Sequence, residues 1–454
     1  MAILSHGSVE RQSSNQIMDK FFRELKIGRL LRSSNIHKSS GVSPLILFRY
    51  MFGLVFMNQN HYEAMQAVEK PFFKDTVYRF LNEGCYHWEK FLLSLAVAAT
   101  NLVRSWSNTS QNTLALVVDD TLFKRNRSRK VELLSWVRDH KDGRYYRGFN
   151  MLNVAWTDGK TIIPCLFRMA ASSNPIADAR ADIDQRTLAA KRRKSAQKTR
   201  PEQLLDMLHK IAGAGIIAYY VLMDSWYFMP KLVSDIKELG YDTIVRIKYK
   251  ERSFYRYGGR LLPLNALFAI ASKREKSSIY HIRVELKAGS GYIPILIVFA
   301  PNNRKKGEWV ALASTDTTLS REEVIRIYGR RWAIEPMFKM CKDTLRLQSE
   351  FQTRSYDATI ASATIVMTRY ICIALEYRSS TDPRTWGELF RTCLEEITQM
   401  GFAEALRLLL AEAIEAISNY FDLDPKEVQE VLSKLCLNSQ SYTLSLFPFL
   451  SASI

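Results

Sequence analysis

The chain has little of what zinc-binding, secreted and membrane-spanning proteins depend on. Its 454 residues hold six cysteines, and these (Cys85, Cys165, Cys341, Cys372, Cys393, Cys436) stand apart, with no Cys-x2-Cys pair. That scatter excludes a disulfide scaffold and reads as ordinary buried thiols in a reducing cytoplasm. Seven histidines show no ligand spacing, which argues against a zinc site or a His-metal nuclease. No uninterrupted apolar stretch approaches the ~20 residues of a spanning helix, and Arg49 breaks the best candidate, Leu45 to Met57. The opening Met-Ala-Ile-Leu-Ser-His-Gly lacks the charged start and apolar core of a secretory signal. Internal repeats and low-complexity tracts are missing as well. Acid is short too: 46 Asp and Glu against 64 Lys and Arg leave a net charge of +18.

What is present narrows the class. Hydrophobic residues at 47% exclude a mostly disordered chain, and the length allows two to four domains with a substantial core. A pI near 9.5 points to a polyanionic partner, most simply nucleic acid, with a membrane surface as the competing reading.

Two β-rich apolar runs end in carboxylates. Thr113 to Val118 is closed by Asp119-Asp120-Thr121, and Ile216 to Met223 by Asp224-Ser225-Trp226-Tyr227. Such runs read as buried strands, and carboxylates at their ends face a shared crevice. A third acid lies in Tyr328-Gly-Arg-Arg331-Trp-Ala-Ile-Glu335, continuing to Lys342. On one helix, Arg331, Glu335 and Lys342 fall about 60°, 20° and 40° from Tyr328, a narrow polar stripe. Alone, that stripe equally suits a solvated amphipathic helix. Three carboxylates without a histidine cluster suit hard divalent ions, which act on phosphates in pairs.

In this order, Asp-Asp-Thr, Asp-Ser-Trp-Tyr and Tyr-x2-Arg-x3-Glu-x6-Lys resemble the DDE transposases of bacterial insertion sequences. The last motif resembles that of the fourth insertion-sequence family, relatives of hairpin-forming cut-and-paste transposases. The likeness covers roughly residues 113 to 350. It implies Asp120, Asp224 and Glu335 as catalytic and metal-holding residues, with two Mg²⁺ ions (Mn²⁺ able to substitute). Asp119 is the rival for Asp120, which is preferred because the family's aspartate directly precedes a threonine. Tyr328, Arg331 and Lys342 would grip phosphates at the cleaved end. Trp332 would stack on a displaced base or else anchor the core, and Arg246, Lys248, Lys124 and Arg125 would add phosphate contacts. The implied partners are double-stranded DNA (terminal inverted repeats and target) and a second copy in a synaptic homodimer. No membrane is involved, and the implied location is the bacterial cytoplasm, at the nucleoid.

The predicted fold class is α/β: an RNase H-like catalytic core with a β-rich insertion, flanked by helical N- and C-terminal regions. Residues 1–110 read as helical and DNA-binding, with Gln16 to Leu31, a helix after Ser43-Pro44, and 74–83 resembling a recognition helix that ends at Gly84. A plain core-covering helix fits 74–83 equally well. Strands at 113–119, 149–156 and 161–168 precede helix 201–213, strand 216–223, helix 230–239 and strand 242–248, within a first core segment 111–248. Residues 249–318 hold the insertion and the return to the core, with strands at 279–285, 292–299 and 309–314. Residues 319–380 return to the catalytic core with the Glu335 helix, which starts at the capping box Ser320-Arg-Glu-Glu323, and Pro336 implies a kink or restart. Amphipathic helices in 381–454 suggest packing or self-association. The basic run Lys191-Arg-Arg-Lys194, with Lys198 and Arg200, reads as a loop tracking DNA backbone. Two rival functions stay open: an RNase H-like repair nuclease, and a domesticated DNA-binding protein without catalysis.

Overall fold

The computed structural model describes residues 14–66, 72–106, 113–139, 142–248, 253–274, 277–301, 308–351 and 353–379. The expected C-terminal helices in 381–454 lie outside the described residues. The chain divides into two units, one of residues 1–20, 56–58 and 385–454, the other of 21–55 and 59–384. In the first, the described residues are 14–20, which begin the helix Ser14–Glu24, and the turn 56–58. The boundaries expected near 110, 248 and 318 all fall inside the second unit.

That second unit is mixed α/β around one sheet of eleven strands. They are β1 (Ala115–Lys124), β2 (Ser135–Arg138), β3 (Tyr145–Thr157), β4 (Ile162–Ala170), β5 (Tyr220–Met223), β6 (Asp242–Arg246), β7 (Phe254–Tyr257), β8 (Arg260–Pro263), β9 (Tyr280–Ala288), β10 (Gly291–Pro301) and β11 (Trp309–Ser314). The order across the sheet is β2-β3-β1-β5-β6-β11-β10-β9-β7-β8, with β4 also paired to β3. β1, β3 and β4 are antiparallel neighbours, whereas β5 runs parallel to β1 and β6 parallel to β5. The strands β7 to β11 do not stand apart as an inserted body. β11 pairs antiparallel with β6 and carries β10, β9, β7 and β8 outward on the same sheet.

Local sequence explains the helix boundaries. Pro44 opens Pro44–Leu54, where its missing N–H costs nothing. Thr199 with Glu202 and Ser320 with Glu323 form capping boxes that start Arg200–Gly213 and Arg321–Gly329. The helix expected through Gln16 to Leu31 breaks into Ser14–Glu24 and Ile27–Ser33, because Lys26 is left-handed at φ 51°. Helix Lys74–Leu81 ends on Asn82, and Gly84 is not its left-handed cap. Gly84 instead permits close packing, since a Cβ there would stand 3.1 Å from that of Ala189.

Among the described residues, the most apolar long helix is Tyr356–Ser379, with a mean hydropathy of 1.6 over its richest window. It is a core helix, buried throughout that window against helices Trp88–Ser105, Lys74–Leu81, Pro44–Leu54 and Ile334–Asp343 and strand β4. Its centre carries Arg369, fully buried, whose Nη1 and Nη2 each donate to Glu350 at 2.6 Å. Nε donates to the Phe52 carbonyl at 3.0 Å and Nη2 also to that of Met51, so one side chain ties three segments together. Breaking such a pair leaves a buried charge uncompensated. Arg369→Ala or Glu350→Ala should therefore lower unfolding stability by about 3–5 kcal/mol, read as a fall in the urea midpoint. A loss under about 1 kcal/mol, the worth of an exposed pair, would show that water reaches the site.

Candidate active site

Asp119 and Asp120 lie within β1, which runs on to Lys124, not at a strand end as expected. Successive side chains of a strand point to opposite faces, so only one of the two can join the third acid. The parallel register decides which. Ala115 pairs with Tyr220, Leu116 with Val221 and Val117 with Leu222, so two further residues bring Asp119 level with Asp224 on one face. Asp119 Oδ2 accepts from Arg331 Nη1 at 3.4 Å, while Arg331 Nη2 reaches Glu335 Oε1 at 3.8 Å. Asp120 faces the other way. Its Oδ2 accepts from Arg200 Nη1 at 2.8 Å and from the Tyr227 hydroxyl at 3.5 Å. The preference for Asp120 from its following threonine is thus not what the geometry favours. Asp119, Asp224, Arg331 and Glu335 converge, and Asp120 belongs to a separate Arg200–Tyr227 cluster. Comparing Val-Val-Asp119 with Leu-Met-Asp224 would have found this; Arg200 and Tyr227 carried no such signal.

Glu335 arrives on a broken helix. Arg321–Gly329 passes into a 3₁₀ turn, Arg330–Ala333, before Ile334–Asp343 begins. Pro336 has no N–H for the carbonyl of Trp332, so a single helix cannot run through, while a first turn accommodates it. The stripe survives the break locally. The Arg331 guanidinium lies 5.8 Å from the Tyr328 ring centre and 4.8 Å from that of Trp332. Lys342 Nζ donates to Thr121 Oγ1 at 2.6 Å, on the Asp119 face of β1. Glu335 is half open, its side chain 51% exposed. Trp332 is 48% exposed and is no core anchor. Trp226 is exposed too, with Lys248 Nζ 4.8 Å above its ring, and Arg246, exposed at the end of β6, acts on the Tyr328 phenol.

The other basic candidates separate into outward and inward. Lys124 pairs with Asp139 at 3.4 Å and caps the Tyr146 ring at 3.7 Å. Arg125 turns inward, donating to the carbonyls of Gln348 at 2.7 Å and Phe351 at 3.1 Å, so it is a brace between segments and not a phosphate contact. The run from Lys191 is no loop. It forms helix Leu188–Ala196, in which Arg193 binds Glu132 and Arg192 binds Asp357, leaving Lys191 and Lys194 outward. Helix Lys74–Leu81 buries Thr76, Val77, Phe80 and Leu81 and exposes Lys74, Asp75 and Arg79.

Electrostatics single out Asp119. Burial pushes its carboxyl up to about 7, with the Asp120 and Asp224 carboxylates adding to the rise and Arg331 opposing it. Burial alone would lower Arg331, but Tyr328, Asp119 and Asp224 around it raise it instead. On this face Arg331 is the strongest charge acting on Asp119, and burial outweighs it. Three carboxylate donors suit a hard divalent cation, although among the described residues no three potential ligands stand close enough to enclose one. Arg331 occupies the space between Asp119 and Glu335.

Residues 49–265, just under half of the chain, match a family model described as DDE superfamily endonuclease. Among curated proteins, none matches the chain in sequence. Two solved structures resemble it weakly. The cryo-EM structure of the piggyBac transposase synaptic complex with hairpin DNA aligns at 10% identity over 87% of this chain and 82% of its own, with a TM-score of 0.47. The Drosophila P element transposase strand transfer complex aligns at 12% identity over 58% of this chain and 57% of its own, with a TM-score of 0.20.

A pH test follows from Asp119. In the folded chain its carboxyl holds a proton up to about 7, whereas an unfolded aspartate releases it near ~3.9. Between those values the folded state binds more protons, so stability falls as pH rises through the window and levels off above it. In chelator, the urea midpoint should fall from pH 5 to 8 in the parent protein and less steeply in Asp119→Asn. Equal slopes would show that Asp119 is not the titrating group.

Proposed function

We propose that the chain is a DDE-type DNA transposase with an RNase H-like core. The observation that carries this is Asp119 in register with Asp224 on adjacent parallel strands, joined to Glu335 through Arg331. The five-strand order β4-β3-β1-β5-β6, antiparallel for three and parallel for two, supports the RNase H-like reading. The match to a DDE endonuclease model over residues 49–265 supports the reaction class.

Asp119, Asp224 and Glu335 would hold Mg²⁺, most usefully as two ions. Bound there, the ions would activate a water or 3′ hydroxyl and stabilise the leaving oxygen of an in-line displacement at phosphorus. The chain's own side chains do the remainder. Arg331 balances the carboxylates in the ion-free state and, once displaced from between them, is a ready donor to a phosphate oxygen. Lys342, placed on the Asp119 face by Thr121, supplies a second cation. Exposed Trp332 and Trp226 frame the site with rings that a displaced base can stack on. Tyr328, Arg331, Glu335 and Lys342 together support a fourth-family insertion-sequence transposase that cuts and pastes through a hairpin. On that reading the partners are terminal inverted repeats, target DNA and a second copy, and the setting is the bacterial cytoplasm.

The test uses duplexes carrying the ends of the DNA segment that encodes the chain. Asp119→Asn, Asp224→Asn and Glu335→Gln should each reduce Mg²⁺-dependent nicking by about a hundredfold or more, as loss of metal ligation does. Gel-shift affinity should hold within about twofold, because the basic surfaces are unchanged. Asp120→Asn should nick far better than Asp119→Asn; the reverse order would move the site to the other face. Nicking without end joining would favour a repair nuclease, and binding without nicking a non-catalytic DNA-binding protein.

A further inference from the structure

The hairpin of β2 and the first half of β3 carries an arrangement that the site above does not use. β2 is the terminal strand of the sheet, paired to β3 with Trp136 opposite Arg147 and Arg138 opposite Tyr145. Residues opposite each other in an antiparallel pair share a face, as do residues two apart on one strand. One face of the hairpin is therefore a two-by-two checkerboard, with Trp136 beside Arg147 and Arg138 beside Tyr145. Both rings are open to solvent, Trp136 at 60% and Tyr145 at 64%. The Arg147 guanidinium is 6.0 Å from the Trp136 ring centre and is tethered to the Asn126 carbonyl. Arg138 is exposed, as is Arg144 at the turn.

The opposite face is already engaged by the chain's own groups. Ser135 is buried and bonded to the Leu133 carbonyl at 3.0 Å, and the Tyr146 ring is capped by Lys124. Its hydroxyl is bound by Asp142. Among the described residues the Arg147 guanidinium is the group over Trp136, and it leaves Trp136 and Tyr145 mostly open, although a folded chain ordinarily buries rings of that size.

Exposed rings alternating with guanidinium groups match single-stranded nucleic acid. Unpaired bases stack on aromatic faces, the intervening phosphates meet the arginines, and every base has a face to offer. A duplex keeps its bases stacked on one another and presents mainly its phosphates, which would use the arginines and leave the rings idle. We infer that this hairpin face is a binding platform for unpaired DNA, separate from the carboxylate site. The inference rests on the proposed function only for its choice of DNA as the polyanion.

The platform lies on the same face of the sheet as Asp119. The register pairs Asp119 with Asn153, Thr121 with Met151 and Phe123 with Phe149, and the same parity runs on through Arg147 and Tyr145. Eight residues separate Asn153 from Tyr145, which at about 3.4 Å each spans roughly 27 Å along the strand. The nucleotides held there are too far away to be those at the bond being cut. They are instead an unpaired stretch beyond it, on the side toward the β2 edge.

The probe is fluorescein-labelled (dT)₂₀, which has no secondary structure, set against a 20-base-pair duplex, with fluorescence anisotropy on the full chain. Trp136→Ala and Tyr145→Ala should each weaken (dT)₂₀ binding by about five- to a hundredfold, the worth of one base–aromatic stack. Duplex binding should change by less than about twofold. Trp136→Phe should retain most of the affinity, because it keeps a ring. Arg138→Ala should lower the salt slope for (dT)₂₀ by about 0.7, the signature of one lost phosphate contact. Unfolding midpoints checked alongside guard against misfolding, and the exposed positions make them easy to hold. Unchanged (dT)₂₀ affinity in a folded Trp136→Ala, Tyr145→Ala double variant would overturn the platform. So would an equal loss for both probes, which would mark a general basic surface. If the chain bound (dT)₂₀ through these rings yet failed to nick DNA, the platform would stand and the transposase reading would fall. Nicking by a chain whose (dT)₂₀ affinity ignored the ring variants would leave the transposase reading standing and remove the platform.

Discussion

Two carboxylates side by side on one strand cannot serve one site, and the architecture of this molecule follows from how β1 separates them. Asp119 turns toward the 3₁₀ turn that carries Arg331, and Asp120 toward the start of helix Arg200–Gly213. Each meets an arginine from a different part of the chain, so both faces of the strand are fastened electrostatically. The parallel pairing of β1 with β5 adds Asp224 on the Asp119 side, where burial first and the neighbouring carboxylates after it raise the Asp119 carboxyl against the pull of Arg331. A carboxyl so shielded from water, beside other carboxylates, is the chemical content of the site. A part-buried carboxyl pushed up to about 7 is held in a state that a divalent cation would reverse.

Arg331 has a double placement that a straight helix would not give. A continuous helix from Arg321 would leave its orientation to the periodicity alone. The 3₁₀ turn, forced by Pro336 and its missing donor, sets Arg331 between Asp119 and Glu335 while the Tyr328 and Trp332 rings flank its guanidinium. An arginine so placed keeps the acids from repelling each other when no ion is bound. It also lies where a phosphate would come if an ion took its place. Charge balance in the empty site and phosphate contact in the filled one then belong to one side chain.

Much of this was legible in the sequence. Strand runs rich in Val, Ile and Leu, the capping box at Ser320 and the break at Pro336 all rest on local chemistry, and they appear where local chemistry puts them. The choice between Asp119 and Asp120 did not rest on local chemistry but on the register between β1 and β5, two strands a hundred residues apart in sequence. A motif shared with a family pointed to one neighbour, while alternation along the strand required only that one of the two be left out, and the register chose the other. The helix Tyr356–Ser379 went unread for a different reason. Apolar on nearly every side, it has no amphipathic period to detect, which is what a helix surrounded by protein should look like. Nor could β7 to β11 be recognised as extending the sheet, because strand pattern reveals that a segment pairs but not with whom.

The basic excess is where sequence and structure differ most in meaning. A net charge of +18 invites the view that every cluster of arginines meets a polyanion. Arg125, Arg192, Arg193 and Arg369 do not: they bind internal carbonyls, Glu132, Asp357 and Glu350. Guanidinium groups are the cations best suited to such burial, since a planar fork can satisfy two acceptors at once. Removing them from the count leaves a smaller outward set. It includes Arg246 and Lys248 near the carboxylate site and Arg138 and Arg144 on the β2–β3 hairpin, besides Lys74, Arg79, Lys191 and Lys194 on helices and Arg127, Arg129 and Lys130 beyond β1. Lysines and arginines close in sequence are sorted by strand alternation or helix phase, as Lys191 and Lys194 face outward while Arg192 and Arg193 turn inward, so a run of basic residues is divided by the fold before any partner arrives. What a nucleic acid would meet is therefore set by strand register and helix phase. The hairpin, with two rings between its arginines, is where that sorting leaves an aromatic surface alongside the charge.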